Sequence, residues 1–325
     1  MKAIICSAYG NANVLNLIEI EKPICKENEI LIKVKNAAIT TADAMMRKGE
    51  PKYSRMFLGC EKPKNPMVGT GFSGVVVEKG NAVNNFKIGD EVFGETGLKF
   101  GANAEYISIS SEDVVLKKTK NISFEAAAIL CDGVLTSYNF LKNISKIKPK
   151  DKVLIIGASG SLGVAAIQLS KIMKAEVTGV CSGKNLSLVQ SLGADYVIDY
   201  QTESFINASK KYDIIYDTIG VSSFGNCKNI LSAKGLYMSP VLNFSLLFRM
   251  LLNPLLGKKK AYFQATGLQK AESLKKMLNE IIPLVTNTNY NFVLNKPYKL
   301  GEINEAHKLI DSKRKIGNLV LELKD

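Results

Sequence analysis

The alternation of apolar and polar positions divides the chain into two parts with different patterns. Over residues 1–120, short apolar runs such as EILIKVKNAAI, FSGVVVEKG and AEYISIS are separated by Gly and Pro turn signals. Runs of this kind, bounded by turn residues, predict β-strands. We therefore predict a β-rich domain over residues 1–120.

From residue 151 the pattern changes to alternating strands and helices. VLIIG, AEVTGV, YVID and DIIYDTIG are near-continuous apolar runs, and the segments between them have helical spacing. This alternation predicts a parallel sheet covered on both faces. Residues 268–325 contain two helical segments and a final strand, NLVLEL, which we expect to return to the first domain. We predict one domain over 1–120 and 268–325, and a second over 121–267.

Composition narrows the class of protein. The 325 residues carry 43 basic and 30 acidic side chains, a net charge of +13. Such a charge suits nucleic acid, an acidic membrane surface or a phosphorylated cofactor, but the lysines are spread along the chain and favour a solvated surface. The cysteines are scattered without a CxxC pair, which fits a reducing compartment, and we expect a cytoplasmic protein. MKAIICSA predicts a strand rather than a signal peptide, and the apolar runs are shorter than the about 20 residues that cross a bilayer.

The stretch DKVLIIGASGSLG (151–163) is the strongest candidate for a ligand site. Gly157, Gly160 and Gly163 follow an apolar strand and open an amphipathic helix. In a βα turn of this kind the glycines allow a sharp turn, close backbone approach to a pyrophosphate, and tight packing of helix on strand. The helix start offers N–H groups and a positive dipole end to phosphates. The spacing differs from G-x-G-x-x-G, but the continuing strand–helix alternation favours nucleotide binding.

The end of the second strand indicates which nucleotide binds. NAD sites hold the ribose with a carboxylate at that end, about 20 residues beyond the glycines. Glu176 stands at the beginning of AEVTGV, about 13 Å from the carboxyl end at about 3.3 Å per residue. Ser182, Lys184 and Asn185 follow the strand instead. A hydroxyl and an ammonium group favour a 2′-phosphate, so we predict NADPH as the cofactor.

Several segments together resemble the medium-chain dehydrogenase/reductase superfamily, with its zinc-free, quinone-oxidoreductase-like members most similar. They are ITTADAMMRKGEP, PMVGTGFSGVVVEKG, AAAILCDGVLTSY, GASGSLGVAAIQLSK, VTGVCSGKNLSLVQSLGADYVIDY and RKIGNLVL. The resemblance implies an α/β fold with a GroES-like β-barrel catalytic domain, a Rossmann domain with a doubly wound parallel sheet, and a cleft between them for cofactor and substrate. Reductive members of this family pass hydride from NADPH to an activated alkene, a quinone or a carbonyl.

Position by position, the resemblance also implies cofactor contacts. Ser159, Gly160, Ser161 and Leu162 would face the pyrophosphate, flanked by Gly157 and Gly163. Ser182 and Lys184 would meet the 2′-phosphate, with Tyr200 nearby. Thr136 would approach the nicotinamide end, and Arg314 and Lys315 would close over the cofactor.

The resemblance further bears on a catalytic metal. Zinc-type members place a Cys where this chain has Thr40 and a His where it has Thr70, and the third position retains Cys131. Catalytic zinc needs three protein ligands, so we expect no metal; the pair Cys60–Glu61 is not favoured as a substitute. The single histidine, His307, is expected at the surface or in a domain contact.

Without zinc, the protein must orient the substrate and stabilise charge on its oxygen. We predict that Thr40 or Thr41 donates a hydrogen bond there. Some zinc-free relatives carry a Tyr shortly after R-x-G, and Tyr53, displaced by two residues, is the corresponding candidate for the proton donor.

The predicted function is zinc-independent hydride transfer from NADPH to a quinone, an α,β-unsaturated carbonyl or an aldehyde. A binding protein for RNA or a membrane surface and a zinc-type alcohol dehydrogenase are the less favoured alternatives. We expect a small-molecule substrate, a homodimer as in many relatives, and neither nucleic acid nor a membrane as partner. The segment 244–263, FSLLFRMLLNPLLGKKKAYF, suits an interfacial helix, but Pro254 favours a loop over the cleft or a subunit contact.

Overall fold

A computed structural model of the chain describes residues 1–207, 209–253, 255 and 257–323. The chain forms two compact units: unit 1 comprises Met1–Asp132, Lys270–Asn279 and Leu294–Asp325, and unit 2 comprises Gly133–Gln269 and Glu280–Val293. Within the described ranges, no helix combines the length and the apolar character needed to cross a bilayer.

Unit 1 is β-rich, as predicted. Its strands, numbered along the chain, are β1 (Lys2–Cys6), β2 (Leu15–Glu19), β3 (Glu29–Ile39), β4 (Gly71–Lys79), β5 (Glu91–Glu95), β6 (Tyr106–Ser110), β7 (Val114–Lys117), β14 (Tyr298–Lys299) and β15 (Leu319–Glu322). β1 and β2 pair with each other, while the larger sheet has the order β14-β15-β3-β4-β5-β7, with β6 also on β3. The terminal strand β15 pairs with β3, as expected for a chain that returns to its first domain.

The helices of unit 1 are α1 (Thr41–Lys48), α2 (Arg55–Leu58), α3 (Phe124–Ile129) and α10 (Ile303–Asp311), and α9 (Ala271–Thr286) contributes to both units. Helix α3 packs on β3 and β4, and the Ser73 hydroxyl donates to the Phe124 carbonyl (2.6 Å). These contacts place residues 121–132 in unit 1, whereas the sequence assigned them to the second domain. The apolar core of this unit is built around Ile30, Ile32, Phe72 and Val92.

Unit 2 contains the predicted parallel sheet. Its strands are β8 (Lys152–Ile156), β9 (Glu176–Cys181), β10 (Tyr196–Asp199), β11 (Tyr212–Asp217), β12 (Leu231–Ser239) and β13 (Lys260–Phe263). Every pairing among them is parallel, in the order β10-β9-β8-β11-β12-β13. This is the order of a doubly wound dinucleotide-binding sheet, so the predicted fold class is confirmed.

The helices of unit 2 are α4 (Leu135–Tyr138), α5 (Ser161–Ile172), α6 (Leu186–Ser191), α7 (Phe224–Cys227) and α8 (Phe244–Leu251). Two π-helical turns, Leu130–Val134 and Asn139–Ile144, flank α4. Helix α8 corrects the expectation of a loop, because its eight residues end before Pro254 is reached. Pro254, which motivated that expectation, lies outside the described residues, as does Leu256 of the same segment.

Candidate functional site

The glycine loop of unit 2 lies where the strand order of the sheet reverses. β8 and β11 are neighbours, and the strands that follow each of them lie on opposite sides of the pair. Ligands of doubly wound sheets bind outside the carboxyl ends of the strands at this switch point. The loops after β8 and β11 are tied together there, because the Thr218 hydroxyl donates to the Ile156 carbonyl (2.8 Å).

The three glycines of the loop have different structural roles. Gly157 has φ +79°, and a Cβ there would lie 2.6 Å from Thr218 Oγ1. A Cβ on Gly163 would lie 2.2 Å from the Gly157 carbonyl oxygen. For Gly160 the only described atom within 4 Å of such a Cβ is that same oxygen, at 3.5 Å. The first and third glycines are therefore required by the fold, whereas the second leaves open space at the start of α5.

The amino end of α5 is suited to an anion. Gly160 is its N-cap residue, and no described side chain caps this end. The Ser137 hydroxyl of α4 donates to the Leu162 carbonyl (2.9 Å) and holds the first turn in place. Ser161 is buried, while Ser159 and Leu162 are partly exposed. Backbone N–H groups and the helix dipole at such an end bind phosphate, so the residues present fit the pyrophosphate of a dinucleotide.

Asn185 joins the glycine loop to the turn after β9. Its side-chain Nδ2 donates to the hydroxyl oxygens of Ser159 (3.0 Å) and Ser182 (3.2 Å), and the residue is buried. From the sequence, Asn185 was only one of three polar residues that follow the second strand. The structure assigns it a positioning role, in which it orients the two serines predicted to meet the cofactor phosphates.

The 2′-phosphate candidates lie at the carboxyl end of β9. Lys184 is exposed, and its ammonium group has no hydrogen-bond or ion-pair partner in the described part of the chain. Glu176 is in register with Lys152 at the amino end of the strand, and it pairs with Lys210 (2.7 Å). Its carboxylate is therefore paired at the amino end of β9, whereas Lys184 lies beyond the carboxyl end of that strand.

A carboxylate that the sequence analysis missed lies beside this turn. Asp199 ends β10 in register with Cys181, and a Cβ on Gly183 would lie 2.5 Å from Asp199 Oδ2. Its other oxygen, Oδ1, accepts from the backbone N–H of Gln201 (3.0 Å). The next residue, the predicted cofactor contact Tyr200, is exposed. A carboxylate at the end of β10 therefore lies next to the turn that carries Lys184.

The loop after β11 is held by a buried carboxylate. Asp217 accepts backbone N–H groups from residues 219–222, with Gly220 at 2.8 Å and Ser222 at 2.7 Å, and the hydroxyl of Tyr237 (3.0 Å). These bonds fix the second wall of the switch point. In the sequence, the polar pair Asp217–Thr218 directly after the apolar run DIIY could have indicated this role. Thr136, the predicted nicotinamide contact, is partly exposed on α4 of the same unit.

In unit 1 the two candidate threonines differ in availability. Thr40 is buried and caps α1: its hydroxyl donates to Asp43 Oδ2 (2.8 Å) and accepts from the Asp43 N–H (3.0 Å). Thr41 is exposed, and its hydroxyl has no described partner. Of the two, Thr41 has the side chain that is free to donate to a substrate. The predicted proton donor Tyr53 is exposed in the turn Lys52–Ser54.

A group of ionisable side chains surrounds the start of α1. Burial raises the pKa of Asp43 to about 7, helped by Asp132 and opposed by the Thr40 hydrogen bonds and Lys315. Burial, then the charges of Asp132 and Asp43, raises the pKa of Glu95 to about 8. The pKa of Lys315 is lowered by burial and raised again by the two aspartates. One oxygen of each carboxyl, Asp43 Oδ1 and Glu95 Oε2, is buried without a partner among the described residues.

The contacts of this group distinguish the two cofactor candidates in the turn before β15, Arg314 and Lys315. Lys315 interacts with Asp132 and Asp43 inside unit 1 rather than standing free in solvent. Arg314 is the exposed residue of the pair. That a residue of this turn closes over the cofactor stays a prediction. Exposed Arg314 is a better candidate for this role than Lys315.

Helix α1 is anchored to α10 by an ion pair between buried Arg47 and partly exposed Asp311. Arg47 donates to both carboxylate oxygens of Asp311 (2.7 and 2.8 Å) and to the Gly10 carbonyl (2.7 Å). His307 of α10 is 1% exposed, so the expectation of a surface position is wrong. Burial and then the charge of Arg47 lower the pKa of His307 to about 3, so its ring is neutral at pH 7.

The three positions compared with zinc ligands do not form a described metal site. Thr40 uses its hydroxyl as a cap, and burial raises the pKa of the Cys131 thiol well above its usual 9.0, which favours the protonated form over a metal-binding thiolate. In the described ranges, no group of three or more His, Cys, Asp or Glu side chains has the spacing of a metal site; Cys60 and Glu61 supply none.

Comparison with known proteins identifies the family. Residues 26–120 match the alcohol dehydrogenase GroES-like domain, and residues 192–321 match the zinc-binding dehydrogenase domain. The chain is 36% identical over 231 residues to the NADPH-dependent alkenal/one oxidoreductase of Arabidopsis thaliana and 35% identical over 230 residues to the 2-methylene-furan-3-one reductase of Solanum lycopersicum. Each match covers 68% of this chain, but the chain spans only 58% and 57% of those two proteins.

A third relative and a solved structure extend the likeness. The quinone-oxidoreductase homolog of Spinacia oleracea is 35% identical over 231 residues, which cover 66% of this chain and 67% of that protein. The quinone oxidoreductase structure from Coxiella burnetii has a TM-score of 0.88 and 28% identity, and the match covers 100% of this chain and 99% of that one. The chain belongs to the medium-chain dehydrogenase/reductase superfamily, among its quinone-oxidoreductase-like members.

Proposed function

We propose that this chain is a zinc-independent reductase that transfers hydride from NADPH to a quinone, an α,β-unsaturated carbonyl or an aldehyde. The observation that carries the proposal is the end of β9, where partly exposed Ser182 and exposed Lys184 follow the strand and Asn185 connects this turn to the open glycine loop. Glu176 is paired with Lys210 at the other end of the strand. A cation at the carboxyl end of β9 favours the cofactor with a 2′-phosphate. The names of the Arabidopsis and Spinacia relatives, an NADPH-dependent alkenal/one oxidoreductase and a quinone-oxidoreductase homolog, agree with this assignment.

The bound nicotinamide would supply the hydride, and the chain's own residues would orient the substrate and provide for the proton. Hydride addition to an enone or quinone leaves negative charge on oxygen, which a hydrogen-bond donor stabilises and a proton neutralises. The exposed Thr41 hydroxyl is the donor we assign to that oxygen. In the described part of unit 1, Asp43 and Glu95 are carboxyl groups with pKa values of about 7 and about 8, and each holds a proton for part of the time at neutral pH.

A fluorescence titration followed by turnover tests the proposal. The chain has no Trp, so emission of the reduced nicotinamide is free of tryptophan background. We expect enhanced emission on binding NADPH, a much weaker response to NADH, and oxidation on adding an enone or a quinone in EDTA. Equal binding of both cofactors would contradict the Lys184 assignment. Turnover lost in EDTA and restored by Zn²⁺ would contradict zinc independence.

We further propose a cytoplasmic homodimer. The described cysteines are all free, which fits a reducing compartment. In the described sheet of unit 2, β13 is an edge strand, and relatives often dimerise by extending the sheet at such an edge. Light scattering on the purified chain tests the dimer, and a monomer at micromolar concentration would exclude it.

A further inference from the structure

A carboxylate stands at the same end of the unit 2 strands as the residues assigned to the 2′-phosphate. Asp199 is the last residue of β10 and is in register with Cys181, the last residue of β9. Neighbouring strands of a sheet lie about 4.8 Å apart, so the chain leaves these two strands side by side. Ser182 and Lys184 come next after Cys181. Asp199 is therefore a direct neighbour of the turn that contains both of them.

The Asp199 carboxylate extends into this turn. Gly183 lies between the two residues assigned to the 2′-phosphate, and a Cβ on it would lie 2.5 Å from Asp199 Oδ2 and 3.9 Å from Asp199 Oδ1. The φ of Gly183 lies outside the left-handed region, so the approach of the carboxylate, rather than the backbone conformation, requires glycine here. The charge also affects the end of β9: burial and then Asp199 raise the pKa of the Cys181 thiol to about 11.

The negative charge of Asp199 is not paired with a cation. Asp199 Oδ1 accepts from the backbone N–H of Gln201 (3.0 Å), and no ion pair in the described part of the chain involves this carboxylate. The side chain is partly exposed, as expected for an ionised group without a cationic partner. The bond to Gln201 does not need a charge, because the amide oxygen of an asparagine accepts the same N–H. The contacts of Asp199 within the fold therefore do not account for a carboxylate at this position.

We propose that Asp199 is a cofactor-specificity residue that opposes the 2′-phosphate of NADPH and limits how strongly the chain prefers NADPH to NADH. A phosphate monoester carries about −1.5 to −2 elementary charges at pH 7. Lys184 attracts that charge and the adjacent Asp199 repels it, so the preference for NADPH is the difference between the two effects. NADH has a hydroxyl group in place of the phosphate and is subject to neither. The inference rests on the proposed NADPH-dependent function and names a residue that sets its cofactor choice.

Four ligands isolate the contribution of the 2′-phosphate. Nicotinamide emission measures the binding of NADPH and NADH, and displacement of NADPH measures adenosine 2′,5′-bisphosphate and AMP. In Asp199→Asn we expect the Kd of NADPH and of the bisphosphate to fall about 3- to 10-fold, whereas those of NADH and AMP should stay within about twofold. Unchanged affinities for NADPH and the bisphosphate, or an equal change for all four ligands, would overturn the proposal.

The matched control is Asp213→Asn. Asp213 belongs to β11 of the same sheet, but it stands near the amino ends of the strands, where its Oδ2 accepts from the backbone N–H of Lys152 (3.0 Å). The control therefore removes the same charge from a carboxylate that makes the same kind of backbone hydrogen bond. We expect it to leave all four affinities unchanged. A gain in NADPH affinity equal to that of Asp199→Asn would indicate a diffuse charge effect and contradict the assignment.

Ionic strength separates an effect of charge from an effect of shape. Salt screens partly exposed charges, so the NADPH advantage of Asp199→Asn over the unaltered chain should shrink between about 0.05 M and about 0.5 M KCl. An advantage that does not depend on salt would mean that the side chain acts through its shape. Lys184→Ala/Asp199→Asn should keep the advantage over Lys184→Ala alone. Its loss in that pair would show that Asp199 only displaces Lys184, and either result would overturn the proposal.

NADH binding and the unfolding midpoint show whether each variant folds. If Asp199→Asn does not fold, Asp199→Ser, whose hydroxyl oxygen can accept the Gln201 N–H, replaces it in the same measurements. An unaltered chain that binds neither NADPH nor NADH would contradict the proposed function and this inference together. Normal NADPH binding by the unaltered chain, with the same NADPH to NADH ratio in the folded variant, would contradict only the role of Asp199.

Discussion

The amide group of Asn185 donates a hydrogen bond to the hydroxyl of Ser159 (3.0 Å) and so connects the glycine loop to the turn that follows β9. The same amide reaches Ser182, so one buried side chain fixes the positions assigned to the pyrophosphate and to the 2′-phosphate. This arrangement couples the positions of the two halves of the proposed cofactor site to each other through one side chain.

Replacement of Asn185 tests that coupling. Asn185→Ala removes both hydrogen bonds, and since a hydrogen bond typically contributes about 1 kcal/mol, we expect the Kd for NADPH to rise about 5- to 30-fold. Fluorescence titration measures it. Asn84→Ala, which changes an exposed asparagine of unit 1, is the control and should bind normally. An unchanged Kd for Asn185→Ala would show that the serines are oriented without this link.

Lys184 should discriminate between the two cofactors. Lys184→Ala removes a charge-assisted contact with the 2′-phosphate, so we expect NADPH to bind about 10- to 100-fold more weakly while NADH binding stays the same. The control is Lys152→Ala, an exposed lysine at the amino end of β8 in the same sheet. Parallel loss of NADPH and NADH affinity would mean that Lys184 supports the turn rather than the phosphate.

The glycines of the loop should separate folding from binding. Gly160→Ala has room for its Cβ, so we expect near-normal stability but weaker NADPH binding, because the methyl group occupies the space left for the phosphates. Gly163→Ala places its Cβ 2.2 Å from the Gly157 carbonyl oxygen and should lower the free energy of unfolding by about 2 kcal/mol or more. Urea unfolding and NADPH titration of both variants check this. Normal NADPH affinity in Gly160→Ala would show that the cofactor phosphates do not bind at this loop.

Local sequence patterns predicted the features that depend on one segment at a time. The strand–helix alternation predicted the parallel sheet, and the strand length correctly placed Glu176 away from the ligand edge. The Asn185 link was missed because it joins two loops whose spatial relationship the sequence does not contain. The ionisable group around Asp43 was missed because Glu95, Asp132 and Lys315 come from distant parts of the chain.

Two wrong predictions, the surface position of His307 and the loop in segment 244–263, could have been avoided from the sequence. Helix α10 buries Ile303, Ala306, His307 and Ile310, and this i, i+3, i+4, i+7 spacing places the histidine on the apolar face. In the second case, Pro254 was interpreted as disrupting the whole apolar segment. The helix had room for two turns between its Asn243 cap and that proline.

Asp43 should make stability depend on pH. Its pKa is raised from 3.8 to about 7 in the folded chain, so between these values the folded state binds a proton that the unfolded state releases. The free energy of unfolding therefore falls as pH rises through this range, and the stabilisation is complete only below about pH 4. Asp43→Asn removes the titration, and its amide oxygen can still accept the two Thr40 hydrogen bonds.

We therefore compare the free energy of unfolding of Asp43→Asn with that of the unaltered chain at each pH. The difference, variant minus unaltered, should increase by about 2 kcal/mol as the pH rises from about 5 to about 8. Urea denaturation at each pH measures this difference. Asp113→Asn, a surface carboxylate paired with exposed Lys99, is the control and should show almost no pH-dependent gain. A constant offset for Asp43→Asn across the range would mean that the Asp43 carboxyl is ionised throughout, so it could not hold the proton that reduction of a quinone or an enone consumes. Lys315 would then be the stronger candidate for that proton, because an ionised Asp43 beside it favours its charged form.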